Sequence, residues 1–195
     1  MLVDIVLGSK AVWWIIVVLA ESPGQGFTKE DIKTITSLSG NSLFNSLNVL
    51  VKNDIVNVKK KGKRSYYNLN LANSYSKKIV EIADLERREL NAMDIKITIM
   101  LREYVRKIVD LIEVKNIYIF GSIVKNSYNE KSDIDIAIIV NSKLSIKERV
   151  ELEKVGESIE KRFGREIQQH IFTIEEFEGK NKLIEQIHRD GIKLI

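Results

Sequence analysis

A chain of 195 residues, 44% hydrophobic and 30% charged, has the length for one large domain or two small ones and the balance of an ordinary soluble globular protein. It contains no cysteine, which excludes disulfides and thiolate metal sites, and only two histidines, so a metal site must lean on the carboxylate oxygens that suit magnesium or manganese. The net charge of +4 lies entirely in residues 1–70, which hold nine Lys or Arg against five Asp or Glu, while the rest of the chain holds twenty-two of each; any nucleic-acid face is expected in that first third.

Taken in chain order, Gly8 and Ser9 precede a first helix expected to run to about Ser22. Its apolar run "AVWWIIVVLA" is ten residues long, flanked by Lys10 and Glu21, and is too short to span a bilayer. A buried helix is the expectation, with the cytoplasm as location and no membrane partner. "SPGQG" ends that helix, and Thr28 caps a second one, "TKEDIKTITSL", with Asp31 completing a box-like cap. After "SGN", the segment "NSLFNSLNVLVKN" reads as a third helix that buries Leu43, Leu47, Leu50 and Val51 and turns Ser42, Asn45, Ser46 and Asn48 to the other face. "DIVNVKKKGKRSYYNLN" then gives two short strands about a basic turn centred on Gly62.

Helix, helix, turn, helix and basic hairpin, in that order, resemble a winged helix-turn-helix of the arsenic-repressor-like class over residues 1–72. The resemblance implies an α+β DNA-binding domain whose third helix enters the major groove and whose hairpin is the wing. Ser42, Asn45 and Ser46 are the residues placed to reach base edges, and Lys59, Lys60, Lys61, Lys63 and Arg64 those placed to neutralise phosphates.

Residues 74–113 hold no proline or glycine and read as one long helix or two joined end to end, with 73–97 as a helical connection. Leu90, Met93, Ile97, Met100 and Tyr104 alternate spacings of three and four, a seam expected to pack on the following domain or on the same helix of a homodimer.

The next segment, "IYIFGSIVKNSYNEKSDIDIAIIV", places a short apolar strand before the turn at Gly121 and Ser122, and returns as a second strand carrying Asp133 and Asp135. Two carboxylates on one strand face, about 4 Å apart at an effective dielectric near 20, repel by roughly 4 kcal/mol. A bridging divalent cation answers that repulsion. A glycine lets the backbone approach a ligand closely, and exposed turn amides with a serine hydroxyl can cradle phosphate oxygens.

Gly-Ser, ten residues, then Ser132 and "DIDIAI" resemble the signature of the minimal nucleotidyltransferases of the DNA polymerase beta-like superfamily. The resemblance implies an α/β domain with a small mixed sheet over residues 98–195. In it Gly121 and Ser122 bind the triphosphate of ATP or another NTP, and Asp133 and Asp135 hold Mg2+ or Mn2+. Relatives carry a basic residue directly after Gly-Ser and a glycine further on; here Lys125 supplies the charge, and Asn126 tolerates the left-handed conformation. The family also places a third acid on the strand after the next helix. Ser145 and Glu148 cap that helix, Gly164 ends it, and "REIQQHIFT" is the strand, where Gln168 stands at the acid's position. Glu166, on the same strand face as Gln168 and His170, is the candidate base, and His170 reads as an ordinary strand residue. Thr173 with Glu176 opens a last helix before a short strand after Gly191.

Two functions follow. One is a DNA-associated nucleotidyltransferase passing a nucleoside monophosphate to a hydroxyl, a protein acceptor included, since relatives act as antitoxins that adenylylate a partner. The other is a transcriptional regulator whose transferase-like domain binds nucleotide or partner without turnover.

Overall fold

Eight consecutive apolar positions, Trp13 to Ala20, leave helix α1 (Lys10–Ala20) no polar face along most of its length, and a helix apolar all round has to be enclosed. In the computed structural model, which describes residues 9–90, 93–125, 127, 129 and 132–195, all eight are buried. Gly8 and Asn126 lie outside the described residues. No helix among the described residues is long and apolar enough to cross a membrane.

The described chain divides into two compact units, residues 9–99 and residues 100–195. In the first, α1 packs against α2 (Lys29–Thr36), α3 (Gly40–Lys52), strand β2 (Arg64–Leu69) and α4 (Ser74–Glu89). The α2 capping box forms as its sequence suggests: the Thr28 hydroxyl accepts from the Asp31 amide at 3.2 Å, and the Asp31 carboxylate accepts from the Thr28 amide at 2.8 Å. Those bonds hold the Asp31 carboxyl below its ordinary range, the Thr28 amide contributing most. Ser39 caps α3 by accepting from Ser42. Strand β1 (Val56–Lys61) pairs antiparallel with β2 in the register Lys61↔Arg64, so Gly62 and Lys63 make the turn, with Gly62 at a φ of 60°. The Trp13 indole donates to the Glu86 carboxylate of α4 at 3.3 Å, which ties the stretch expected as a connection into the first unit.

The molecule departs from its sequence-based expectation at two residues of α3, Ser46 and Val51, the latter half-buried rather than buried. Ser46 is buried, because the i, i+3, i+4 spacing from Leu43 puts it in the same stripe as Leu47 and Leu50; Asn45 is exposed and Ser42 half-buried. Leu90, Met93, Ile97, Met100 and Tyr104 are each buried, from 0% to 7% exposed. The helical stretch is two helices, α4 and α5 (Ile95–Leu111).

The second unit carries a four-stranded mixed sheet in the order β5-β4-β3-β6. Strand β3 (Asn116–Phe120) pairs antiparallel with β4 (Ile134–Val140) and with β6 (Ile192–Lys193), while β4 pairs parallel with β5 (Ile167–Thr173). The crossover from β4 to β5 is α6 (Ile146–Phe163), opened by the Ser145 and Glu148 capping box and closed by Gly164 at a φ of 73°. The short α7 (Ile174–Phe177) and α8 (Lys182–Asp190) contribute Phe177, Ile184 and Ile187 to a core with Phe120, Ala137 and Ile139.

A buried ion pair fastens α5 to α6. Glu103 is 3% exposed, both of its oxygens accept from Arg162, and the Lys107 ammonium lies 3.9 Å away. Removing one partner of such a pair leaves a charge in low dielectric and costs about 3–5 kcal/mol in other proteins; with Lys107 still nearby, Arg162→Ala is expected to cost about 2–3 kcal/mol. Urea denaturation followed by circular dichroism reads this out. Adding Glu103→Gln to that variant is expected to restore part of the loss.

Candidate active site

The backbone register assembles the site. Phe120, the last residue of β3, is the cross-strand partner of Asp135, so the turn that begins at Gly121 starts beside that carboxylate. Gly121 has a φ of 80°, and a Cβ built there would overlap the Asp135 carboxylate. Glycine is required twice over, by the left-handed backbone and by the close approach. Gly121→Ala is expected to displace Asp135 and lower any reaction at this site about 100-fold, the order that a 1 Å misplacement costs. Steady-state turnover with the melting temperature measured alongside separates this from unfolding.

Ser122 follows in the turn, its carbonyl accepting from the Ser127 amide at 3.2 Å, and the side chain of Ile123 anchors the turn in the interior at 1% exposed. Lys125, exposed at the end of the turn, reaches Asp190 at the C-terminal end of α8, 3.2 Å away. Arg189 and then Lys125 hold the Asp190 carboxyl down to about 2. The lysine expected to face a triphosphate thus has an anionic neighbour already.

Asp133 is exposed immediately before β4, and Asp135 is partly covered within it. Burial raises the Asp135 pKa above the ordinary carboxylate value; the neighbouring His170 opposes that rise and Asp133 adds to it. His170, expected to be an ordinary strand residue, stands instead beside the aspartate pair. Its Nε2 lies 3.7 Å from an Asp135 oxygen, and its ring sits 5.3 Å from that of Phe120. The parallel register explains it: Gln168 is directly opposite Asp135 and His170 opposite Ala137, so both project on the Asp135 face. The shared face of residues 166, 168 and 170 is readable from period-two spacing, whereas the strand offset that brings His170 to Asp135 is not.

Glu166 precedes β5 and is exposed; its carbonyl accepts from the Ile134 amide at 3.0 Å. Its side chain makes no hydrogen bond or ion pair among the described residues, and no group of three His, Asp or Glu among them is arranged to hold a metal ion. The register therefore sets Gly121 beside Asp135 with Gln168 and His170 on the same face, while Asp133 and Glu166 stand at the entrance of the paired strands β4 and β5. Two carboxylates beside a backbone cradle form a donor set that suits one hard divalent cation whose other ligands come from a substrate's oxygens. On the first unit, Lys59, Lys60, Lys61, Lys63 and Arg64 are all exposed along the hairpin.

One comparison with known proteins falls on this half of the chain. Residues 99–194 match the family model of the nucleotidyltransferase domain. The mixed sheet, the Gly121 turn and the two aspartates all lie inside the matched residues. Among solved structures, a toxin–antitoxin crystal structure with AMP-PNP is 21% identical, covering 48% of this chain and 71% of that one, with a TM-score of 0.38. A MepR mutant from a multidrug-resistant S. aureus clinical isolate is 15% identical, covering 51% of this chain and 75% of that one, with a TM-score of 0.33. No curated protein matches the chain.

Proposed function

We propose that the chain is a DNA-associated nucleotidyltransferase that moves a nucleoside monophosphate from ATP or another NTP to a hydroxyl, with a serine or tyrosine of a partner protein as acceptor. The observation that carries this reading is the Asp133 and Asp135 pair beside the Gly121 turn, within residues that match a nucleotidyltransferase domain. In it Gly121 and Ser122 receive the triphosphate, the turn amides donating to phosphate oxygens. Asp133 and Asp135 hold Mg2+ or Mn2+. The cation, when bound, activates the attacking hydroxyl and stabilises the departing pyrophosphate. The acceptor oxygen forms a bond to the α-phosphorus as the bridging P–O bond to the β-phosphate breaks, and the hydroxyl proton passes to a base. Lys125 adds charge to the triphosphate once Asp190 releases it, and Glu166 is the nearest acid in sequence for the base. Incubation with α-labelled ATP, magnesium and candidate partner proteins tests the reading; label that never becomes covalently attached would sink it.

The second reading, a regulator that binds nucleotide or partner without turnover, is favoured by one observation: Gln168, an amide that cannot take a proton, stands opposite Asp135. Tight nucleotide binding with no transfer would select it.

Both readings include DNA. The order of three helices and a hairpin, with five exposed cations on the hairpin, supports a winged helix, with Asn45 and Ser42 toward the groove. Replacing Lys59, Lys60, Lys61, Lys63 and Arg64 by Gln is expected to flatten the dependence of log K on log salt by about 0.9 for each phosphate no longer neutralised. Anisotropy titrations on labelled duplex across a salt series measure this. An unchanged slope would remove the hairpin from the DNA interface.

A further inference from the structure

Among the described residues strand β5 is an edge strand, paired with β4 on one side only. In a parallel ladder the residues of a strand alternate between bonding to the neighbour and pointing away from it. Because the Glu166 carbonyl accepts from Ile134, the residues one register on, Ile167, Gln169 and Ile171, turn their amides and carbonyls outward. None of these three amides has a hydrogen-bond partner among the described residues. An open groove of about 520 Å³ runs along this edge, and the same three residues line it.

Its other wall is the outer stripe of α6. Glu153, Glu157 and Glu160, at helical spacing, join Glu166 against the one guanidinium of Arg149. All four carboxylates are exposed, and none has an ion-pair partner among the described residues. The Gln169 side chain donates to the Leu152 carbonyl at 2.8 Å, which holds it down on α6 and leaves the strand edge open above it. An exposed edge of this kind is a template for a further strand, and natural proteins ordinarily blunt it. Here the flanking charge is four carboxylates against one guanidinium, a net negative wall that repels acidic or identical edges and selects a basic one.

We propose that this groove is a docking site for a protein partner that presents an extended, lysine- or arginine-bearing segment, added to the sheet as a fifth strand beside β5. Main-chain hydrogen bonds to the Ile167, Gln169 and Ile171 backbone supply the pairing, and alternate basic side chains of the segment meet the α6 carboxylates. The segment reaches the sheet at the edge nearest Gln168 and Glu166, which brings its partner protein beside the Asp133 and Asp135 end of β4. The inference does not depend on catalysis, because it concerns an edge and a charge pattern present without nucleotide.

The test uses the full chain without nucleotide and three fluorescent seven-residue peptides: alternating Lys and Val, alternating Glu and Val, and the Lys peptide N-methylated on alternate amides. The expected result is saturable binding of the Lys peptide, no binding of the Glu peptide and at least tenfold weaker binding of the N-methylated one. Hydrogen exchange at Ile167, Gln169 and Ile171 is expected to slow on binding. Glu153→Gln, Glu157→Gln and Glu160→Gln together are expected to weaken binding at least tenfold while the circular dichroism spectrum stays unchanged; should that variant misfold, raising salt on the native chain gives the same reading. Equal binding of the N-methylated peptide, protection at amides elsewhere, or no saturable binding would each overturn the proposal.

Discussion

Asp135→Asn is expected to lower nucleotidyl transfer by at least about 10³-fold, since a divalent cation at the reacting phosphate supplies several kcal/mol and each 1.36 kcal/mol is a factor of ten. The substitution keeps the shape of the side chain and a hydrogen-bonding group toward His170, 3.7 Å away, so packing is preserved while one charge is lost. Stability is expected to move the other way. Burial and Asp133 both raise the Asp135 pKa above its ordinary value, which means the folded state disfavours the charged form. A raised carboxyl pKa costs stability once pH exceeds the unfolded value, and that cost disappears with the neutral amide. The variant should therefore melt slightly higher than the native chain at pH 7. That advantage should close as pH falls below the ordinary carboxylate value, where the native carboxyl is protonated in both states. Single-turnover transfer with magnesium and a melting curve on the same sample check both halves. A rate within tenfold of the native one would remove Asp135 from the chemistry, whatever the melting curve does. Higher stability with lost activity is the pattern of a site whose charges serve function at the expense of the fold.

Much of this site could be read before any coordinates, and the reason is local. The alternation in "DIDIAIIV" places Asp135 with Ala137 on one strand face, and the ten-residue spacing from Ser122 sets a return loop that brings the two strand ends together. The Thr28 and Asp31 cap and the Gly164 helix end are likewise short-range chemistry, written in neighbouring residues. What stayed illegible depends on partners distant in sequence. His170 meets Asp135 through the offset between β4 and β5, thirty-odd residues apart, and period-two spacing fixes a face without fixing an offset. Lys125 finds Asp190 across the length of the second unit. Ser46 failed for a different reason: a helical stripe three to four positions wide takes in small polar residues at its border, and hydroxyl chemistry does not reveal on which side of the border they fall. The seam from Leu90 to Tyr104 shows the same limit, since an apolar stripe states that it is covered and leaves open by what.

Gln168→Glu is expected to raise transfer about 10- to 100-fold, within the range that a positioned general base contributes. Gln168 is the residue opposite Asp135 in the parallel ladder, so a carboxylate there shares the face of the aspartate pair and can take the proton of an attacking hydroxyl. The added charge has a measurable side effect. Without a cation, a third carboxylate beside two others is expected to lower the melting temperature, because like charges a few ångströms apart at an effective dielectric near 20 repel by roughly 4 kcal/mol per close pair. Magnesium should recover that loss in the variant and change the native chain less, which makes the cation's presence visible without any turnover. Glu166→Gln is the companion measurement. Glu166 shares a strand face with Gln168 and its side chain makes no hydrogen bond or ion pair among the described residues, and a change of less than threefold is the result that leaves the base position vacant. A 100-fold fall would instead assign the base to Glu166 and leave no vacancy for residue 168 to fill. If Gln168→Glu gains the magnesium-dependent stabilisation but no rate, the cation site is complete and the step limited by it lies elsewhere, in delivery of the acceptor hydroxyl.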